Sequence, residues 1–115
     1  MADRGDVLRL KRRLGFGAKG EAEAVIVGQA TPLNAVLPTL LVVPLDPATG
    51  AYAEHPAALR ISRQETGSNV DQMAVPWRLH ALAANALASG PVGRLQPGTL
   101  ASLDDLLKLV LGLRG

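Results

Sequence analysis

The order of the apolar segments is the feature that most constrains what this chain can fold into. A short alternating segment at residues 6–10 comes first, and apolar runs follow at residues 24–27 and 35–45. The one clean amphipathic helix, at residues 100–113, comes last. Strands first and a single helix at the end are typical of a small barrel closed by a helix, and they disfavour alternating β-α units.

Length and composition define the kind of core that the chain can build. A chain of 115 residues predicts one domain, 1–115, that buries roughly two-thirds of its unfolded surface. Aromatic residues are only 3% of the chain, so the core must consist of Leu, Val and Ala. Phe16, Tyr52 and Trp77 are expected to be isolated large fillers. The absence of cysteine excludes disulfides, thiolate nucleophiles and cysteine-ligated zinc.

Several other site classes lack the residues that they need. His55 and His80 are far apart and follow no metal-ligand spacing, so no metal and no cofactor are expected. The longest apolar run, residues 35–45, is shorter than the about 20 residues that span a bilayer. No signal peptide is visible. These features predict a soluble cytoplasmic protein without a membrane partner.

A basic cluster near the N-terminus is the clearest charge feature. The net charge is only +2, yet Arg9, Lys11, Arg12 and Arg13 fall within five residues. A local cationic patch suits a polyanion such as RNA. The alternative interpretation is a solvated strand end with a few basic side chains.

Local patterns predict the elements that carry these residues. Residues 14–23 form a glycine-rich loop, and residues 46–50 form a turn. The apolar segment 39–43 is a central strand, and Pro44 is expected to end it or to lie at its edge. Leucine and alanine spacing predicts a helix at residues 77–89. The remaining strands are expected at residues 57–63, 70–75 and 92–95.

Two short motifs do not carry a function. Residues 15–20 match G-x-G-x-x-G, but a β-branched run follows where a dinucleotide site needs a helix. Arg4-Gly5-Asp6 matches the integrin-binding tripeptide, and we interpret this match as a coincidence.

Taken in order, several segments resemble one family. They are similar to stretches of the MazF/PemK toxins of type II toxin–antitoxin systems. The similar segments are the opening Arg4-Gly5-Asp6-Val7, the loop at residues 14–19, the segment 37–45 (LPTLLVVPL), Val70-Asp71-Gln72-Met73 and the tail from Gly93. The resemblance implies a mainly β, α+β fold: a small SH3-like antiparallel barrel (CcdB/PemK-like) with a C-terminal helix. It also implies a homodimer, metal-independent cleavage of single-stranded RNA, and a cognate antitoxin as partner.

The chain departs from the family at the residues that carry the chemistry. The family's arginine before the second strand falls at or near Ala22-Glu23, and its threonine after the "PL" strand falls on Asp46. The resemblance therefore leaves Lys19, Asp46 and Thr49 as catalytic candidates. The RNA-binding candidates are the basic and polar side chains of Arg9, Lys11, Arg12, Arg13, Gln72 and Arg78, with His80 close to the last.

These departures leave two functions open. One is an active endoribonuclease toxin with an altered site, in which Lys19 stabilises the transition state and Asp46 or Thr49 moves protons. The other is a family member that has lost cleavage and acts by binding an antitoxin peptide, nucleic acid or gyrase, as in the CcdB branch of the fold.

Overall fold

The computed structural model describes residues 2–14, 22–50, 52–88 and 90–113, without the side chains of residues 12–14 and 22–23. The strands in these ranges are β1 (Asp6–Leu14), β2 (Ala22–Val27), β3 (Thr39–Pro47), β4 (Leu59–Ile61), β5 (Gln72–Ala74), β6 (His80–Ala83) and β7 (Gly93–Arg94). The helices are α1 (Thr31–Asn34), α2 (Arg63–Thr66) and α3 (Pro97–Leu111), and 3-10 turns occur at Pro76–Arg78 and Ala84–Ala86.

The strands form one antiparallel sheet that curls into a half-barrel. The strand order is β4-β5-β3-β2-β1-β7, and β6 pairs with β3 as well. An isolated bridge between Leu10 and Leu87 brings the segment after β6 back to β1. The Ala88 backbone N–H also donates to the Arg9 carbonyl at 2.8 Å, so the segment after β6 is held against β1 on the far side of β2 from β3. The expected mainly β fold with a C-terminal helix is confirmed.

β3 organises the sheet because it pairs with three strands. Thr39 to Val42 pair with β6, Val42 to Pro44 pair with β2, and Leu45 to Pro47 pair with β5. The sequence correctly predicted a central strand, but the expectation that Pro44 ends it or lies at its edge is wrong. Pro44 stays inside β3, and its carbonyl accepts the Val75 backbone N–H at 3.0 Å, where β3 changes from one partner strand to the next. β3 therefore continues through Asp46.

The apolar strands are buried on both faces, which explains their continuous hydrophobic sequence. Alternate side chains divide between two clusters, because successive residues of a strand point to opposite faces of the sheet. One cluster lies against α3 and includes Val7, Ile26, Val43 and Leu103. The other lies on the opposite face and includes Leu8, Val25, Val27, Val42 and Leu82. A helix on one face and the curled sheet on the other thus bury a core without many aromatic residues.

The first residues of the chain attach the sheet to α3. The Arg4 guanidinium pairs with Asp104 on α3, and the Asp6 carboxylate accepts the Arg94 Nε–H at 2.9 Å. Gly5 has φ +93°, a left-handed conformation that favours glycine. All three residues of the tripeptide Arg4-Gly5-Asp6 therefore have a structural role in the fold.

One predicted element is wrong. Residues 77–89 were expected to form a helix, but the described part of this segment contains the end of one 3-10 turn, the strand β6 and a second 3-10 turn. Leu82 pairs with Leu40 and Leu87 bridges to Leu10. The apolar residues at helical spacing are used instead to pair with β3 and to reach β1. Among the described residues, no helix is long and apolar enough to span a membrane.

Candidate nucleic-acid interface

The antiparallel topology gathers most of the predicted site residues at one end of the sheet. β1 ends at Leu14 opposite the start of β2 at Ala22, and β3 ends at Pro47 opposite the start of β5 at Gln72. Because β1, β2, β3 and β5 are neighbours that alternate in direction, these four positions lie at the same end. We call this end of the sheet the candidate face.

The basic residues of β1 lead toward the candidate face. Arg9 and Lys11 have exposed side chains, and Arg9 pairs with Ala24 of β2. Arg12 and Arg13 belong to the same strand, but their side chains lie outside the described residues. Lys19 and Phe16 also lie outside the described residues. The described part of the basic cluster is therefore a solvent-facing stretch of β1.

Asp46 lies in β3 and not in a turn, and its side chain is only 2% exposed. Its backbone pairs with Met73 of β5. A Cβ atom added at Gly50 would lie 2.7 Å from the Asp46 Oδ2. The carboxylate therefore lies directly beneath the turn of residues 48–50, away from solvent.

Thr49 lies in that turn and is exposed. The turn is held at both ends, since the Ala48 N–H donates to the Asp71 carbonyl and the Gly50 N–H donates to the Pro47 carbonyl, both at 2.9 Å. The structure thus separates the two predicted proton-moving groups: Thr49 presents its side chain at the surface, and Asp46 supports the turn from below.

Asp71 and Gln72 occupy the start of β5. Gln72 is half-buried and pairs with Pro47 on one side and Ile61 on the other. The Asp71 carboxylate accepts the Arg63 backbone N–H at 2.9 Å and a guanidinium N–H of Arg60 at 3.1 Å. The backbone hydrogen bond from Arg63, with a smaller contribution from Arg60, holds the pKa of Asp71 below its usual value. Asp71 is therefore a structural carboxylate that fixes the approach to β5.

A cluster of rings that could not be expected from isolated aromatic residues follows the turn of residues 48–50. The Tyr52 and Trp77 rings meet edge to face with centroids 5.2 Å apart, and the His55 and Trp77 rings are 4.5 Å apart at 34°. The Arg78 guanidinium carbon lies 5.9 Å from the Tyr52 ring centroid, within the range of a cation–π contact. The expectation that Tyr52 and Trp77 are isolated fillers is wrong. We call Tyr52, His55, Trp77 and Arg78 the ring cluster.

A sequence signal for the ring cluster exists, but it is weak. Tyr52 and His55 are three residues apart, a spacing that brings side chains together in a turn, and the His55 N–H donates to the Tyr52 carbonyl at 3.1 Å. Trp77 contacts them because it lies in a 3-10 turn between β5 and β6 and not at the start of the α-helix expected at residues 77–89. His80, by contrast, lies on β6 opposite Val42.

The candidate face has an exposed hydroxyl and exposed cations on β1, and the ring cluster with its guanidinium lies beyond the other end of β5, since Trp77 and Arg78 follow Ala74. Such groups hold phosphates and stack against bases, which are the contacts that proteins make with single-stranded nucleic acid. In the described ranges, no group of three or more His, Asp or Glu side chains is placed to hold a metal ion.

Comparison with solved structures identifies the fold. An endoribonuclease in complex with its cognate antitoxin, from a mycobacterial species, superposes with a TM-score of 0.73 at 18% identity, over 99% of this chain and 96% of that chain. The Mycobacterium tuberculosis toxin MazF-mt6 gives 0.74 at 11% identity, over 96% and 99% of the two chains. A MazE-MazF complex from Deinococcus radiodurans gives 0.71 at 16% identity, over 98% and 97%.

These superpositions establish the architecture. The sequence identities are too low to transfer the roles of individual site residues to this chain. No protein-family model matches the sequence, and no curated protein matches it. The similarity to the solved toxins nevertheless extends over nearly the full length of both chains. The protein therefore has the MazF-like fold.

Proposed function

We propose that this protein is the toxin component of a type II toxin–antitoxin system and a metal-independent endoribonuclease of single-stranded mRNA. The observation that carries the proposal is the candidate face, where the exposed basic residues of β1 and the exposed Thr49 occur on a fold shared with solved endoribonucleases; the ring cluster on the same chain adds aromatic surface. A strand of RNA needs this combination of cationic and aromatic contacts.

The reaction in this proposal uses the substrate's own 2′-hydroxyl. Its oxygen forms a bond to phosphorus, the bond from phosphorus to the 5′-oxygen breaks, and a 2′,3′-cyclic phosphate and a 5′-hydroxyl result. One proton leaves the 2′-oxygen and one is delivered to the 5′-oxygen. The protein must move these protons and stabilise the additional negative charge on the phosphoryl oxygens.

We assign the proton-moving role at the surface to Thr49 and a supporting role to Asp46. Thr49 is exposed, whereas Asp46 is 2% exposed beneath the turn that carries Thr49. Asp46 would contact the substrate directly only if residues 48–50 moved. A buried carboxylate next to this turn also favours positive charge and proton donors around it. This suits a role for Asp46 in positioning the turn that carries Thr49.

The cations in this proposal hold the phosphodiester backbone. Lys19 stabilises the charge that develops on the phosphoryl oxygens, and Arg9, Lys11, Arg12 and Arg13 hold neighbouring phosphates. Gln72 and Arg78 contact the strand at the β5 side of the candidate face. A lysine in place of the family's arginine supplies a point charge without the planar two-donor fork.

The partners belong to the same proposal. The chain forms one domain over residues 1–115, acts as a homodimer in the cytoplasm, and is neutralised by a cognate antitoxin. Two solved proteins of this fold are complexes with an antitoxin, one described as cognate and one as MazE-MazF. No metal and no cofactor enter the proposed reaction.

A second candidate function is binding without cleavage. The sequence carries Ala22-Glu23 at or near the family's arginine, and the acidic Asp46 is buried at the family's threonine position. A protein with this site would bind an antitoxin peptide, nucleic acid or gyrase.

One digestion separates the two functions. Purified protein is incubated with single-stranded RNA and a metal chelator, and the ends of the fragments are mapped. The proposal expects fragments with cyclic phosphate and 5′-hydroxyl ends, which Lys19→Ala abolishes and the charge-matched Lys108→Ala on α3 preserves. Intact RNA beside a tight peptide complex would support the binding function, and undiminished cleavage by Lys19→Ala would remove Lys19 from the mechanism.

A further inference from the structure

The His55 imidazole is the outermost ring of the ring cluster. Its side chain is exposed, and the half-buried Trp77 ring lies 4.5 Å behind it. The His55 Nδ1 accepts the Ala57 backbone N–H at 3.1 Å. This hydrogen bond fixes the orientation of the imidazole, so the ring is held in place by its own turn before any ligand arrives.

The rings behind His55 give this surface a fixed aromatic backing. Tyr52 meets Trp77 at 85° and His55 at 76°, with centroids 5.2 Å and 6.2 Å away. Such edge contacts are attractive between ring edges and ring faces. The cluster is therefore a preorganised surface, and its ordering does not have to be achieved when a ligand binds.

Positive charge lies next to these rings, and the proposed site is close to them in sequence. The Arg78 guanidinium carbon is 5.9 Å from the Tyr52 ring centroid. Tyr52 is three residues after Thr49, at the exit of the turn that Asp46 supports. A flat ring surface beside a cation, three residues along the chain from an exposed hydroxyl, suits one nucleotide of a strand: its base on the rings and its phosphate at the guanidinium.

We propose that the ring cluster is a base-stacking subsite, in which one unpaired base stacks on the exposed His55 imidazole and Arg78 holds an adjacent phosphate. This subsite rests on the proposed function, since the base belongs to the strand whose backbone passes Thr49. Every base has a π-face, so the subsite selects unpaired over paired nucleotides and tolerates different bases.

The subsite contains its own reporter, because Trp77 is the single tryptophan of the chain. Its fluorescence is followed while an oligoribonucleotide with 2′-O-methyl groups, which lacks the attacking hydroxyl, is titrated into the protein. A strand of the same length without bases carries the same phosphates and serves as the ligand control. We expect the strand with bases to change the fluorescence of Trp77 and to bind more tightly than the strand without bases.

Variants of His55 assign the difference to this ring. His55→Ala is expected to weaken binding of the strand with bases by about 5- to 100-fold, and His55→Phe, which keeps a ring, is expected to restore it. Binding of the strand without bases should stay unchanged in both. The exposed, neutral Gln64→Ala on α2 is the control for surface substitution, and thermal unfolding checks that each variant is folded.

The outcomes distinguish the subsite from the endoribonuclease proposal. Equal affinity for strands with and without bases, or an unchanged affinity of His55→Ala, overturns the subsite even if the wild-type protein cleaves RNA. Base-dependent quenching with no cleavage in chelator supports the subsite and contradicts the nuclease. A fluorescence that no strand changes also overturns the subsite, and the rings then serve packing alone.

Discussion

At the scale of single residues, Asp71 shows how one carboxylate fixes the edge of the candidate face. Its hydrogen bond from the Arg63 N–H, together with Arg60, lowers its pKa in the folded protein. A carboxyl whose folded pKa is depressed stabilises the fold above its unfolded pKa, and this contribution is lost as the pH falls through the folded pKa.

The expected result is a pH-dependent loss of stability below about pH 4. Wild-type protein should lose more of its thermal midpoint between pH 6 and pH 2.5 than Asp71→Asn, whose side chain does not titrate. Asp105→Asn, which also removes one carboxyl but at an exposed position on α3, is the matched control for the change of charge. Parallel pH profiles for wild type and Asp71→Asn would contradict the assignment.

Gly50 tests the packing between the turn and Asp46. A Cβ at this position would lie 2.7 Å from the Asp46 Oδ2, closer than Cβ atoms approach, and a tight 3.1 Å from the Pro47 carbonyl oxygen, so the buried carboxylate or the turn must shift. Gly50→Ala should therefore destabilise the protein by about 1–3 kcal/mol in urea denaturation. Gly98→Ala is the control, because a Cβ there meets nothing within 4 Å and α3 gains helix propensity. Equal stability of the two variants would show that the turn moves easily.

The sequence predicts which residues lie at the candidate face better than it predicts how deeply each of them is buried. Thr49, Gln72 and Asp46 do lie at one end of the sheet. The burial of Asp46 could not be foreseen, because Pro44 suggested that the strand ended before it. Pro44 lacks an N–H, but its carbonyl still accepts the Val75 N–H, so β3 continues and carries Asp46 inward.

At the scale of elements, segments with one dominant physical signal were predicted well. β2 and β3 are continuous apolar segments that a buried strand requires, and α3 has a single apolar stripe. The segment at residues 77–89 was predicted as a helix because its leucines and alanines have helical spacing. In the folded protein, part of this segment becomes β6 and pairs with Thr39 to Val42 of β3, which satisfies the backbone hydrogen bonds of both strands. The spacing of leucines and alanines within the segment cannot reveal a pairing with a distant strand.

The packing of α3 predicts that leucine-to-alanine substitutions at different positions of this helix lower the stability of the protein by very different amounts. Leu103 is fully buried in the cluster between α3 and the sheet, whereas Leu109 is 72% exposed. Leu103→Ala should cost about 2–5 kcal/mol of unfolding free energy, and Leu109→Ala should stay within about 0.5 kcal/mol. Urea denaturation of both variants measures the difference. Similar losses would mean that the end of α3 packs against something in solution.

At the scale of the whole molecule, the half-barrel uses its sheet for the core and leaves apolar side chains on two surfaces. Leu33, Val36, Leu37 and Leu41 are exposed in and around α1 and the start of β3. A second group lies at the end of α3 and comprises Leu109, Val110, Leu111 and Leu113. The sequence resemblance predicted the overall fold correctly, but periodicity alone could not show which half of the α3 stripe is covered.

These exposed groups support the prediction of a homodimer. A patch of aliphatic side chains that is exposed in one chain becomes favourable to bury against a second copy, at about 25 cal/mol per Å² of apolar surface. Light scattering at micromolar concentration should therefore give twice the chain mass of 12.0 kDa. The pairs Val36→Lys/Leu37→Lys and Leu109→Lys/Leu111→Lys place a charge on one surface each. The pair that lowers the mass to that of a single chain identifies the interface, and the other pair is its control. A monomeric wild-type mass would contradict the prediction, and the two surfaces would then remain available for the proposed antitoxin.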